Sequence, residues 1–320
     1  MKSISLIVSV LFFIFSPSAQ ACLNGETKIL KNGAFIYEDY EGMIPHGHQF
    51  VGISQLDEVN HELDSLYKKT RDIDYLSDKG YVLILQGKYQ EAINLYLEIE
   101  KIKPNRYSTA SNIGTAYELI GNNQKALEWI KKSVQIDKES HNGSEWLHVK
   151  ILEAKIKGNA YITSLFLINT DFGSGESPTT KLSPKELLEL QKALYYQLNE
   201  RISFIKKEDK IIALLMFDLG NVFFLINNDV ESTETLYQKA KGYGFSNSFL
   251  EKRLAFIQSK IKKHDESTDK DIPTIEKKEP VKQKITKSSE SNNLYIYLLG
   301  GVILAGILFF LLRNKFNKKD

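Results

Sequence analysis

Two histidines and three carboxylates crowd one stretch near the start of the chain: Glu38, Asp39, Glu41, His46 and His48. Alternate residues of an extended segment face one side. His46-x-His48 beside carboxylates is therefore a donor set that can hold a transition metal, and a metal-dependent enzyme or metal carrier is one class to weigh. The plainer reading is an exposed polar loop, or histidines bonding into the edge of a helical stack. No other grouping offers chemistry. There is no nucleophile elbow, no phosphate-cradling Gly-rich loop, no His-Glu-x-x-His and no Cys/His arrangement. Other carboxylates lie on helix faces at solvent-like spacing. The residues give no reason to propose an enzyme, and they call for no cofactor.

The elements that would position any site are organised around Asp72–Glu139. Laying Asp74–Leu76 on Ser108–Ala110 puts Gly80 on Gly114, Gly87 on Gly121 and Ala92 on Ala126, each pair 34 residues apart. Gly80 and Gly114 are small where two helices of one unit cross. Gly87 and Gly121 fall in the turn, where a positive φ costs glycine nothing. Ala92 and Ala126 are small on the second helix, and Tyr96 and Ile130 are placed to fill the gap to the next pair. Pro104 ends the first unit because it cannot continue a helix.

On these residues the segments 73–106 and 107–140 resemble tetratricopeptide repeats. Lys138, in place of the usual Pro, and Ser133, at a usual Ala position, depart from the pattern. The resemblance implies an all-α fold, a right-handed superhelix of helical hairpins, with ligand contacts on the first helix of each repeat. Those positions here are Asp74, Ser77, Tyr81 and Ile84, then Ser108, Ser111, Asn112, Thr115 and Glu118, with Glu145 and Trp146 if a third unit stacks. A carboxylate clamp is not supported, since Asn112 alone survives of the Lys, Arg and Asn set that it needs. Small hydroxyls with Tyr81 and Asn112 suit adaptable bonding to an extended peptide or a helix.

The rest of the chain frames this unit. Residues 1–21 read as a signal peptide: Lys2, the apolar run Ile4–Phe15, and Ala19-Gln20-Ala21 for cleavage after Ala21. Cys22 would then lead the mature chain, which raises lipidation, although Ala19 stands where a lipobox has Leu. It is the single cysteine, so no intramolecular disulfide forms. Residues 22–53 form an irregular N-terminal arm and 54–262 the helical domain, opened by a capping helix with Leu56, Val59, Leu63 and Leu66. Around Trp146, Val149, Ile151 and Leu152 a third unit begins, but His148 falls where a small residue is usual. The apolar run Asn159–Phe172 must pack somewhere, as a degenerate helix, an inserted strand or a plug along the repeat groove. Ser183-Pro184-Lys185-Glu186 starts a helix with a capping box, running to about Phe204. Residues 209–242 look like a degenerate repeat on Leu219, Gly220, Phe223, Thr233, Tyr237 and Ala240, and Phe249–Ile261 closes the stack.

Residues 263–293 lack aromatics and are rich in Lys, Glu and Ser. They cannot bury enough to fold alone and read as a flexible spacer with a reach on the order of 30 Å. Leu294–Leu312 is uncharged and long enough to span a bilayer as one transmembrane helix. Gly301 and Ala305 form a small-xxx-small pair within it. The tail 313–320, with Arg313, Lys315, Lys318 and Lys319, places the C-terminus in the cytoplasm. Net charge is +2 and no basic block is interleaved with aromatics in the helical part, which argues against nucleic acid. The expected protein is a non-catalytic, membrane-tethered, extracytoplasmic adaptor for a protein or peptide partner. The alternative is a sensor or receptor subunit signalling through the single transmembrane helix. Sequence sets no oligomeric state.

Overall fold

The computed structural model describes residues 27–39, 44–206 and 208–268. Cys22, Glu41, the signal segment, the spacer beyond Thr268, the Leu294–Leu312 span and its Gly301/Ala305 pair lie outside them. Among the described residues one helix is long and apolar enough to cross a membrane, Lys210–Asn227, and 72% of it is buried inside the fold.

The arm holds a two-stranded antiparallel sheet, β1 (Thr27–Ile29) and β2 (Phe35–Glu38). Phe50 bridges to Tyr37 as a further strand-like contact. Helix α1 (Leu56–Thr70) packs Leu56 and Leu63 against Ile36, Tyr37 and Val82. The first repeat is α2 (Ile73–Leu85) and α3 (Tyr89–Ile102), the second α4 (Tyr107–Leu119) and α5 (Asn123–Ile136). Asp72 caps α2 and Asn122 caps α5, each side chain accepting from a first-turn N–H. Gly87 and Gly121 take φ of 72° and 82° in the two hairpin turns.

Gly80 and Gly114 are required by contact. A Cβ on Gly80 would come within 2.5 Å of the Tyr96 ring, and one on Gly114 within 2.5 Å of Ile130. Tyr96 and Ile130 thus lie on the glycines of their own repeats, rather than chiefly filling the gap to the next pair. The same device recurs in the last repeat.

After the second repeat come a single turn, α6 (Ser140–Gly143), and α7 (Glu145–Lys157). The apolar run then makes a 3₁₀ turn (Asn159–Tyr161) and short helix α8 (Ser164–Ile168). Leu167, Ile168 and Phe172 enter the C-terminal core with Leu147, Ile151 and Leu215, so this run is no plug in the groove of the first two repeats. Ser183 and Glu186 form the capping box of α9 (Pro184–Phe204), the long helix. The last repeat is α10 (Lys210–Asn227) and α11 (Val230–Gly242), followed by α12 (Ser248–Thr268). Here Asn228, at φ 51°, takes the left-handed turn position. A Cβ on Gly220 would meet the Tyr237 ring at 2.7 Å.

Candidate functional site

A stack of helical hairpins offers a concave face built from the first helix of each pair. In this chain α2, α4 and α7 supply it, and the chain itself covers it. The C-terminal half of α9 lies over α4 and α7, and the arm lies over α2. Arg201 on α9 reaches Glu118 on α4, with Nη1 donating to Oε1 at 2.6 Å. Gln197 donates to Ser144 Oγ at 3.2 Å, and Phe204 packs against the core of the first two repeats.

The arm is sewn to the same helix. The backbone N–H groups of His46 and Gly47 donate to Asn199 Oδ1, and that of His48 donates to Ser203 Oγ. Gly47 sits so close to α9 that a Cβ would meet the Ile202 carbonyl carbon and the Ser203 nitrogen at 3.0 Å. From the last repeat, Lys239 Nζ donates to the Pro45 carbonyl oxygen.

His48 shows why the metal reading fails for these groups. Its ring stacks on Tyr37 at 4.1 Å. Nδ1 meets Asp39 Oδ2 at 2.6 Å and Nε2 meets Glu200 Oε1 at 3.0 Å, so both ring nitrogens are engaged by carboxylates. Burial alone would lower its pKa, but Glu200 and Asp39 outweigh that and raise it to about 9. It is a buried cation clamping arm to helix. His46 bonds its own neighbourhood, Nδ1 to the Gly47 carbonyl oxygen.

The sequence-predicted contact residues divide by accessibility. Ser77, Tyr81, Ile84, Ser111 and Asn112 are all buried. The Ser77 carbonyl accepts from Tyr96 Oη, and Asn112 Nδ2 donates to that same hydroxyl, both at 2.8 Å. Tyr81 lies under Lys28 of the arm. The Glu118 side chain is buried in its ion pairs. These six therefore form internal contacts. Asp74, Ser108 and Thr115 are partly exposed; Asp74 pairs with Arg106 and Lys31. Trp146 remains exposed, at 39%.

His148, which breaks the repeat pattern, is the hub of a buried charge network. Its Nε2 meets Glu118 Oε2 at 2.6 Å and its Nδ1 meets Glu145 Oε2 at 3.3 Å. His141 pairs with Glu145, and Lys155 Nζ reaches Glu118 Oε1 at 2.7 Å. Burial favours the neutral forms of Glu118, Glu145 and His148, yet the opposite charges win. Arg201 and His148 hold Glu118 well below the usual carboxylate range, His141 and His148 do the same for Glu145, and both acids raise His148. The sequence marked Glu118 and Glu145 as contact positions and His148 as a departure from the pattern, without the network that joins them. The available signal was four charged or imidazole side chains, Glu118, Glu145, His148 and Arg201, on otherwise apolar helix faces.

A cleft of ≈540 Å³ opens where α7 and α9 begin. Trp146, Ile168, Leu182 and Leu190 give it apolar walls. Lys138, Lys192, Glu139, Glu186 and Glu189 give it a rim of both charges.

A family model for the tetratricopeptide repeat matches residues 73–106 and 108–140. No curated protein matches the chain. Among solved structures, the chain is similar to a thermophilic tetratricopeptide repeat protein of Thermus thermophilus, at 12% identity over 65% of this chain and 92% of that one, with a TM-score of 0.33. A tetratricopeptide repeat protein of Parabacteroides merdae gives 14% over 64% and 78%, TM-score 0.33. The TPR2AB domain of yeast Sti1, in a pHSP90 complex, gives 14% over 67% and 81%, TM-score 0.30. At such scores the assignment rests on the matched repeats. Their fold is that of a protein-interaction scaffold.

Proposed function

We propose that this tetratricopeptide repeat protein is a non-catalytic scaffold that binds its partner in the cleft beside Trp146, not on the concave face of its first two repeats. The observation that carries this is the occupied concave face. With α9 and the arm seated there, Trp146, 39% exposed, is the one predicted contact residue that borders the open cleft. Exposed aromatics in a partly apolar recess are the usual anchors of interfaces. Apolar walls with a rim of both charges suit an amphipathic peptide or helix that inserts one apolar side chain.

In-cell crosslinking should capture one or a few proteins with the wild type. Trp146→Ala should lose them, and Ile53→Ser, at an exposed position on the arm, should keep them. Equal capture by both variants would sink the cleft as the working surface.

The reading extends to location. The apolar run Ile4–Phe15 with Ala19-Gln20-Ala21, and the span Leu294–Leu312 followed by basic residues, support an extracytoplasmic body on a single C-terminal membrane helix. An alkaline phosphatase fused after Lys262 should then be active in a bacterial host. An inactive fusion of normal abundance would mean that the body is not exported.

A further inference from the structure

The corner between α7 and α8 leaves apolar side chains in the open. Leu165, at 63%, is the most exposed large hydrophobic side chain among the described residues, and Tyr161 is 43% exposed. The Tyr161 and Phe166 rings meet edge to face at 5.2 Å. Leu167 and Ile168, next along the same short helix, are buried in the C-terminal core, so α8 is anchored with Leu165 on its outer side.

The charges around these rings are mostly of one sign. Lys157 Nζ lies 5.0 Å from the centre of the Tyr161 ring and 4.9 Å from that of Phe166, and Lys150 Nζ lies 5.1 Å from Phe166. An ammonium group over a ring face is attracted by the ring's quadrupole, while its stem covers apolar surface and its head stays in water. Glu153, one turn back on α7, is 2.9 Å from Lys131 and 3.9 Å from Lys150. Lys131, Lys150 and Lys157 thus stand against one carboxylate. Asp171, past α8, accepts from the Gly173 N–H.

An exposed leucine beside an aromatic pair, flanked by ammonium groups in excess of carboxylates, has the chemistry of a surface that meets lipid. The apolar tip suits the acyl boundary, the rings the headgroup level and the lysines the anionic groups. The patch is far smaller than the roughly 20–30 residues a side of a stable protein interface. Against a bilayer it needs little affinity of its own if the chain is already held there, because tethering raises the effective concentration.

We propose that this corner docks on an anionic bilayer surface, with Leu165 inserted, Tyr161 and Phe166 at the headgroup level, and Lys150 and Lys157 on the lipid anions. The proposal rests on the membrane tether put forward above, and it does not involve Trp146 or its cleft.

Hydrogen exchange on the full-length chain in lipid nanodiscs tests it. Discs of phosphatidylcholine alone are compared with discs that also carry phosphatidylglycerol. Exchange at residues 159–168 should be slower in the anionic discs. Lys157→Met should weaken the docking equilibrium about fivefold, the worth of one lysine near such a surface. Leu165→Ser should remove the slowing. Both positions are exposed, so each variant should keep a wild-type circular dichroism melt.

Equal slowing in neutral and anionic discs removes the role of the lysines, and slowing retained in Leu165→Ser removes the insertion. Either result overturns the proposal, as does exchange that lipid leaves unchanged. A chain that does not enter the discs ends the tether reading instead. Preformed discs added in excess from outside then test the surface by the same readout, and unchanged exchange there overturns the proposal as well.

Discussion

In the first repeat Tyr96 lies across Gly80, donates to the Ser77 carbonyl and accepts from Asn112 of the following repeat. In the last repeat Tyr237 lies across Gly220 and donates to Asn221 Oδ1 at 2.6 Å. No further repeat follows among the described residues, and α12 supplies the neighbour instead. Its Arg253, 1% exposed, donates to Asn221 Oδ1, to the Phe172 and Gly173 carbonyls and, through Nε, to Gly175. Its guanidinium also lies over the Phe217 ring at 5.2 Å. The apolar contact is shared, and the polar partner depends on what comes next. An internal repeat borrows a neutral amide, whereas the terminal one is locked by a cation that also fixes the loop after α8.

This contrast can be broken most severely at Arg253. Arg253→Met takes the donor from Asn221 Oδ1 and the Phe172, Gly173 and Gly175 carbonyls, and removes the positive charge that counters Asp218, whose carboxyl burial pushes to about 7. A loss of about 3–5 kcal/mol, the scale for a broken buried charge network, is expected in urea unfolding. The counterpart Asn112→Ala removes one bond to Tyr96 and should cost about 1 kcal/mol for it. Equal losses would mean that the two ends are not held differently.

Glu118→Gln is expected to come close behind. It leaves Arg201, His148 and Lys155 around a neutral amide, and should destabilise by about 3 kcal/mol on the same scale. Hydrogen exchange should rise first in α9 and the arm, leaving α11 and α12 protected.

The shared part of the contrast is tested by Gly80→Ala and Gly220→Ala. Both force a methyl into a tyrosine ring, and each should cost about 1–3 kcal/mol. Truncating the ring, as in Tyr96→Leu with Gly80→Ala, should return part of that loss. An additive double mutant would show that the ring is not what the glycine accommodates.

The mildest test is pH. His48 has a folded pKa of about 9 against an ordinary 6.5, so folding favours its protonated form. Its contribution is complete below pH 6.5 and is lost as pH rises through about 9. The urea midpoint should therefore fall across that window, and His48→Gln should flatten the slope. An unchanged slope would mean that the clamp does not titrate there.

Much of the scaffold was legible because its rules are local. The 34-residue spacing of Gly80 and Gly114 reflects a helix crossing, and Ser183-Pro184 with Glu186 is a cap written in four consecutive residues. The candidate site was not legible in that way. Which side of the repeats stays open depends on α9 folding back, through contacts such as Glu118 to Arg201 across 83 residues. Nothing periodic marks such a contact. His148 looked like a fault in the pattern, and its charge makes sense only once Glu118 and Glu145 stand beside it. His46 and His48 drew attention as metal donors, while the partners that matter to His48, Asp39 and Glu200, lie partly in a segment 152 residues away.

The seating of Gly47 against Ile202 and Ser203 bears on the order in which the molecule comes together. Residues 45–48 take their partners from 199–203 and from Lys239, at separations of 152 to 194 positions. The hairpins between them close through near neighbours and can form as the chain emerges. Residues 45–48 gain these contacts only after α9 exists, and closure over so long a loop is slow. Residues 45–48 are thus made early and fixed late, and a nascent chain stopped before Pro184 would carry finished repeats with the faces of α4 and α7 still bare.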